Sequence, residues 1–168
     1  MAGAVTNAAV SLEIKISETE SNDLGQSRME HVWSLVASYA TGTGSSQADL
    51  VYSDRLSLAG SAQTIDLAGS VASVLSGDTQ TYVEVVGFAV LNNSTTTTEV
   101  CTVGSGSNPW ITWLNATGDA VAVGPGGCLI WTSPIDGGTV TAGTGDVLTL
   151  DPGADTFTVD VVIWGRSA

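Results

Sequence analysis

Apolar and polar residues alternate with period two along much of the chain. In residues 10–17, Val10, Leu12, Ile14 and Ile16 fall on one face and Ser11, Glu13, Lys15 and Ser17 on the other, the pattern of a strand with one wet side. Near the C-terminus Phe157, Val159, Val161 and Ile163 share a face, opposed by Thr158, Asp160, Val162 and Trp164. Residues 82–91 are apolar on both faces apart from Glu84, which predicts a central strand covered on both sides. A buried carboxylate there requires a cationic partner, for which Arg55 and Arg166 are the candidates. Shorter strand-like runs are expected at about 28–40, 48–58, 62–67, 98–103, 109–114, 119–123, 128–132, 139–142 and 146–150. Residues 27–40 also admit a helical drawing, but Val32, Val36 and the Gly-rich stretch that follows favour a strand.

Turn signals punctuate these runs: SND at 21–23, TGTGSS at 41–46, SGD at 76–78, NNS at 92–94, GSGSNP at 104–109, GPGG at 124–127, PIDGG at 134–138 and DPGAD at 151–155. The one helical feature expected is a short turn near 70–76. Many short strands between Gly, Asn and Pro turns predict an all-β fold. The first choice is an antiparallel two-sheet sandwich of jelly-roll type with an N-terminal strand or arm, and an immunoglobulin-like sandwich is the alternative. The shift in composition at TGTGSSQAD (41–49) suggests an arm at 1–47, packing on or extending from a core sandwich at 48–168; a single domain over 1–168 is the other division.

Composition changes the picture mainly through charge. Four Lys and Arg against seventeen Asp and Glu give a net charge of −13, which disfavours nucleic-acid phosphates and anionic membrane surfaces as partners. Only 12% of residues are charged, against about a quarter in ordinary domains, so few long flexible side chains resist dense packing against neighbours. No apolar run approaches the roughly 20 residues of a membrane-spanning helix. The N-terminal MAGAVTNAAVSLEIKIS lacks the basic start of a secretion signal, so synthesis and folding in a cytoplasm are expected. On that footing Cys101 and Cys128 are expected as two buried thiols rather than a disulfide.

Candidate chemistry is sparse. His31 is the sole histidine, with no strained nucleophile elbow nearby, and reads as a half-buried structural residue. Glu84 reads as half of a structural ion pair rather than an acid catalyst. The acidic stretches 18–23 and 151–155 lack the regular spacing of a calcium loop and read as solvated turns. No catalytic residue, cofactor or metal site is therefore expected, and the chain is not expected to be an enzyme. PWITW at 109–113 raises a sugar-binding platform, but Trp110 and Trp113 would point to opposite faces of a regular strand.

Residues 49–168 resemble small virion-associated proteins of tailed bacteriophages and prophages. The matching features are DLVYSDRLSLAGSAQTIDLAGSV (49–71), LNNS (91–94), VGSGSNPW (103–110), VGPGGCL (123–129), PIDGGTVTAGTGDVLTL (134–150) and VDVVIWGRS (159–167). The resemblance covers about two thirds of the chain. It implies a jelly-roll sandwich that decorates or cements a capsid as a structural virion protein, with the major capsid protein as partner and a homo-oligomer, a trimer first, as the assembled form. The localisation implied is the virion, after synthesis in the host cytoplasm. The alternative function is a receptor- or glycan-binding β-sandwich module of a phage tail or fibre. Interface candidates are Trp164 and Val162 on one face of the last strand, Trp131 after the GPGG turn, and Leu12 and Ile14 on the N-terminal strand, which could add to a neighbour's sheet. The competing reading for Trp164 and Trp131 is burial within the monomer.

Overall fold

Alternation is longest at the N-terminus, where Ala8–Asn22 (β1) and Gly25–Tyr39 (β2) pair antiparallel over fifteen residues each. The computed structural model describes residues 8–22, 25–69, 71–72, 77 and 79–168. The leader at 1–7 and most of the helical turn expected near 70–76 lie outside those residues. The β1–β2 register sets Leu12 opposite Leu35, Ile14 opposite Trp33 and Ile16 opposite His31 on one face. Glu13 opposite Ser34, Lys15 opposite Val32 and Ser17 opposite Glu30 occupy the other. The period of two thus carries through the second strand as well as the first.

Among the described residues eleven further strands follow: Leu50–Ala59 (β3), Gln63–Asp66 (β4), Val71–Ala72 (β5), Thr79–Gln80 (β6), Glu84–Asn92 (β7), Cys101–Gly104 (β8), Ala120–Val123 (β9), Cys128–Thr132 (β10), Gly138–Thr139 (β11), Val147–Asp151 (β12) and Thr156–Arg166 (β13). β5 and β6 make a small separate hairpin. One main sheet has the order β10-β7-β13-β3, with β11 also beside β7; the other has the order β4-β12-β8-β9. Every ladder is antiparallel, and the fold is an all-β sandwich.

The pairings are nested. β8 pairs with β9, β7 with β10, β4 with β12 and β3 with β13. The chain therefore behaves as one long hairpin doubled back between β8 and β9, and successive pairs alternate between the two sheets. Inward residues of both sheets, among them Leu58, Phe88, Val90, Val103, Leu148, Leu150, Val161 and Ile163, form the main core. Each such side chain contributes about 1.5–3 kcal/mol on leaving water. Glu84 begins β7, and Arg166 of β13 meets it at 2.6 Å, while Arg55 instead pairs with Asp160.

Residues 109–114 are not the strand that their pattern predicts. Pro109 makes only an isolated bridge to Val147, and a turn follows in which the Leu114 N–H donates to the Ile111 carbonyl at 2.8 Å. Freed from strand alternation, Trp110 and Trp113 come together, with ring centroids 6.5 Å apart and both against Phe88. Gly138 is required there, because a Cβ at that position would lie 2.6 Å from Trp110 Cζ2.

Candidate assembly surface

The ribbon is anchored to the sandwich at its root. Tyr39, at the end of β2, lies edge-on to Trp164, centroid to centroid 6.1 Å. With Ala48 and Val86 these two form a second buried cluster on the outer face of the β10-β7-β13-β3 sheet, flanked by Val10, Ala37 and Val51. The Tyr39 hydroxyl meets the Thr132 hydroxyl, which donates to the Val86 carbonyl at 3.3 Å. A register shift between Trp164 and Gly165 accommodates the cluster, and Gly87 leaves the space that the Trp164 ring fills.

Beyond the root a polar clamp fixes residues 40–49. Arg166 is 3% exposed; its Nε donates to the Gln47 carbonyl at 3.2 Å, and its terminal nitrogens reach Glu84 at 2.6 Å, the Pro134 carbonyl at 2.8 Å and the Ile135 carbonyl at 3.3 Å. The Ser46 N–H donates to the Pro134 carbonyl at 2.7 Å and the Asp49 N–H to the Gly165 carbonyl at 3.0 Å. Asp49 also accepts from the Ser167 N–H at 2.9 Å. The segment entering the sandwich is thus pinned by hydrogen bonds from two directions.

Past this root the ribbon stands away from the body. Every residue at 11–19 and at 28–36 is exposed. Leu12, Ile14, Ile16, Met29, Trp33 and Leu35 share one face by register, and all are exposed. The opposite face is mixed, with Lys15 and Arg28 each paired to Glu30 at 2.8 and 3.0 Å. Leu12 and Ile14, two of the interface candidates, therefore lie on an open apolar face.

The candidates on the sandwich divide differently. Val162 is partly open on the outer sheet face, in register with Ala89 on one side and Ser53 on the other. Trp164 shares that face but is only 5% exposed, because Tyr39 caps it; it is internal and not an available contact. Trp131 also turns inward, against Phe88 and Trp110 at 6.0 and 5.5 Å. Trp164 is buried within the monomer, and Trp131 packs partly buried against its core.

Other candidate groups have local roles. Trp110 is 1% exposed and offers no face for a sugar, and Trp113 packs partly buried against the same core. His31 is exposed on the ribbon rather than half-buried, with Nε2 2.9 Å from Met29 Sδ. Both cysteines are free, but only Cys101 is buried; Cys128 is exposed. Burial, with Asp151 adding to it, pushes the Cys101 thiol up to about 11, which keeps it protonated and unreactive. The Arg55 guanidinium, bonded to both oxygens of Asp160, holds that carboxyl below its ordinary value. At 151–155 the Asp151 carboxylate accepts from the Gly153 N–H at 2.8 Å, closing the turn. Residues 18–22 belong to β1 rather than to a loop, and Asp23 lies outside the described residues. Among the described residues no group of three or more His, Cys, Asp or Glu side chains is placed to hold a metal ion.

Two features escaped sequence reasoning. Asn92, within LNNS, is fully buried: its amide donates to the Glu99 and Val123 carbonyls at 2.8 and 3.0 Å, and its oxygen accepts from the Ser94 N–H at 3.0 Å. It ties the end of β7 to β9. A groove of about 520 Å³ lies between the 106–117 and 139–145 loops, lined by Asn108, Pro109, Ile111 and several threonines. A buried Asn and a threonine-lined groove arise from loops distant in sequence, so local pattern carried no signal for either. No protein-family model, no curated protein and no solved structure matches the chain.

Proposed function

We propose that the chain is a structural virion protein, a decoration or cement protein that binds the capsid surface of a tailed bacteriophage. The observation that carries this reading is the β1–β2 ribbon, two fifteen-residue strands with an open apolar face, fixed at its root to a rigid sandwich. A protein acting alone gains nothing from such a face, whereas a protein built into an assembly needs one. The nested strand pairing supports the jelly-roll reading of the sandwich, since a long hairpin rolled into two sheets gives that alternation. The particle itself follows from the resemblance over 49–168, whose motifs occupy the β9–β10 turn, the 134–150 run and β13.

The mechanism is mechanical. The sandwich supplies a stiff body, its ladders and core resisting shear, and the ribbon supplies reach. At about 3.3 Å per residue, fifteen residues extend roughly 50 Å, enough to cross a joint between neighbouring subunits. The major capsid protein is the partner in this reading, and the assembled form is a homo-oligomer. Cryo-electron microscopy and mass spectrometry of purified particles test it. The wild-type chain is expected at regular positions on the particle, and a deletion of residues 10–37 is expected to lower its occupancy at least tenfold. Particles without the chain, or full occupancy after the deletion, overturn the proposal.

A further inference from the structure

We infer that the apolar face of the β1–β2 ribbon is covered by the same face of a second copy of this chain. The inference rests on reading the ribbon as an assembly element and names its occupant.

Stability comes first. A two-stranded ribbon standing alone in water is marginal, and three or more strands with a shared apolar face are needed for independent stability. Here the ribbon meets the sandwich only near Val10, Ala37 and Tyr39, while both strands at 11–19 and 28–36 remain in solvent. Stacking a second ribbon on the first supplies the missing layer, with the side chains of two sheets interdigitating about 10 Å apart.

The area suits that pairing. Leu12, Ile14, Ile16, Met29, Trp33 and Leu35 are 36–59% exposed. At roughly 150–250 Å² for a large side chain, they leave on the order of 600 Å² of apolar surface on one face, at the upper end of what a lone soluble protein leaves in one patch. Two such faces bury about 1,200 Å² together, the lower bound of a stable specific interface. Trp33, near the middle of the face, is the residue type that most often anchors one.

Charge selects ribbon against ribbon rather than ribbon against body. Residues 40–168 carry twelve Asp and Glu against Arg55 and Arg166, whereas 8–39 carry five against Lys15 and Arg28. Both arginines of the body are already paired, with Asp160 and Glu84. Two bodies brought face to face would repel. Ribbons stacked face to face bring together surfaces whose charged positions, Glu18 and Glu20 by register, lie at the outer end, since Glu13, Lys15, Arg28 and Glu30 lie on the opposite side. The acidic bodies are then held apart at the far ends.

Sedimentation velocity of the purified full-length chain from 1 to 100 µM tests the inference. Wild type is expected as a multiple of 17.0 kDa. Ile14→Glu with Trp33→Glu is expected to sediment as a single 17.0 kDa species, its dissociation constant raised at least a hundredfold, with the melting transition of the sandwich retained. Leu12→Ser is the milder variant, expected to weaken association about tenfold. Val32→Glu, on the opposite face, is expected to leave the multimer intact. The inference is overturned by a monomeric wild type at 100 µM, or by a multimer that survives the double substitution. It is equally overturned if Val162→Glu, on the sandwich face, is the change that dissociates the multimer. A monomeric wild type that still occupies particles would assign the face to a particle protein, leaving the particle reading standing while this inference falls.

Discussion

Arg166 joins three segments far apart in the chain: the 40–49 entry segment, β7 and the 134–135 loop. A buried guanidinium is tolerated only because its fork is satisfied, by Glu84 and by three carbonyls. Arg166→Met keeps the apolar stem and removes the fork, taking the guanidinium from Glu84 and from the Gln47 and Ile135 carbonyls, while the Pro134 carbonyl keeps the Ser46 N–H. Glu84 retains partial contact with solvent, so the loss is smaller than for a fully buried pair, about 2–3 kcal/mol. In a chain of this size that corresponds to a fall in Tm of roughly 5–10 °C. Arg166→Lys is expected to recover little, because a point charge cannot reach Gln47, Glu84 and Pro134 together. Differential scanning calorimetry of the two variants makes the comparison, and an unchanged Tm for Arg166→Met would remove the clamp from this account.

At the level of elements, the ribbon and the sandwich are held by different means. The sandwich is closed by a continuous core, the ribbon by one ladder and its root. Two of the four possible trypsin sites, Lys15 and Arg28, lie on the ribbon, and Arg55 and Arg166 lie within the sandwich. Brief trypsin treatment of the Ile14→Glu, Trp33→Glu variant is therefore expected to cut first after residues 15 and 28. The 29–168 product should keep the melting transition of the body, since Tyr39 and the clamp remain. Wild type at high concentration should resist both cuts at least tenfold longer, read by mass spectrometry; equal cleavage of the two proteins would show that nothing shields the ribbon.

The same difference explains what was legible in the sequence. β1 and β13 are long and alternate, and β7 is a long run apolar on both faces, so pattern announced all three, and the Gly-rich seam at 41–49 separates ribbon from sandwich. The 109–114 run has strand-like composition, but Pro109 and the turn at 111–114 break its alternation and turn both tryptophans the same way. Trp164 looked outward because alternation gives a face and not what covers it; the cover is Tyr39, 125 positions earlier. Leu12 and Ile14 were recognised from their own strand. Their extension by Trp33 and Leu35 depends on the register of a second strand, which a pattern read one strand at a time does not contain.

For the molecule as a whole, charge sets how assembly responds to its medium. With a net charge of −13 per chain, association works against repulsion between bodies, a force with a reach of about 10 Å at 0.1 M salt. Raising sodium chloride from about 50 to about 500 mM is therefore expected to strengthen self-association, lowering the dissociation constant roughly tenfold. Sedimentation across that range gives the sign directly. Weakening with salt would mean that ion pairs, not apolar faces, hold the copies together.

The nested pairing also fixes an order of events in time. β3 pairs with β13, so the sandwich cannot close until Thr156–Arg166 has left the ribosome. The ribbon is complete once Tyr39 emerges. At about 5–20 residues per second, synthesis leaves an interval on the order of ten seconds in which each nascent chain presents the hairpin but no body. Non-local ladders then form slowly, lengthening that interval. Neighbouring chains on one messenger would carry their ribbons close together before most of the acidic residues have been made. Because the ribbon precedes the sandwich in the chain, copies that assemble through it would have time to meet before most of the charge that separates their bodies is made.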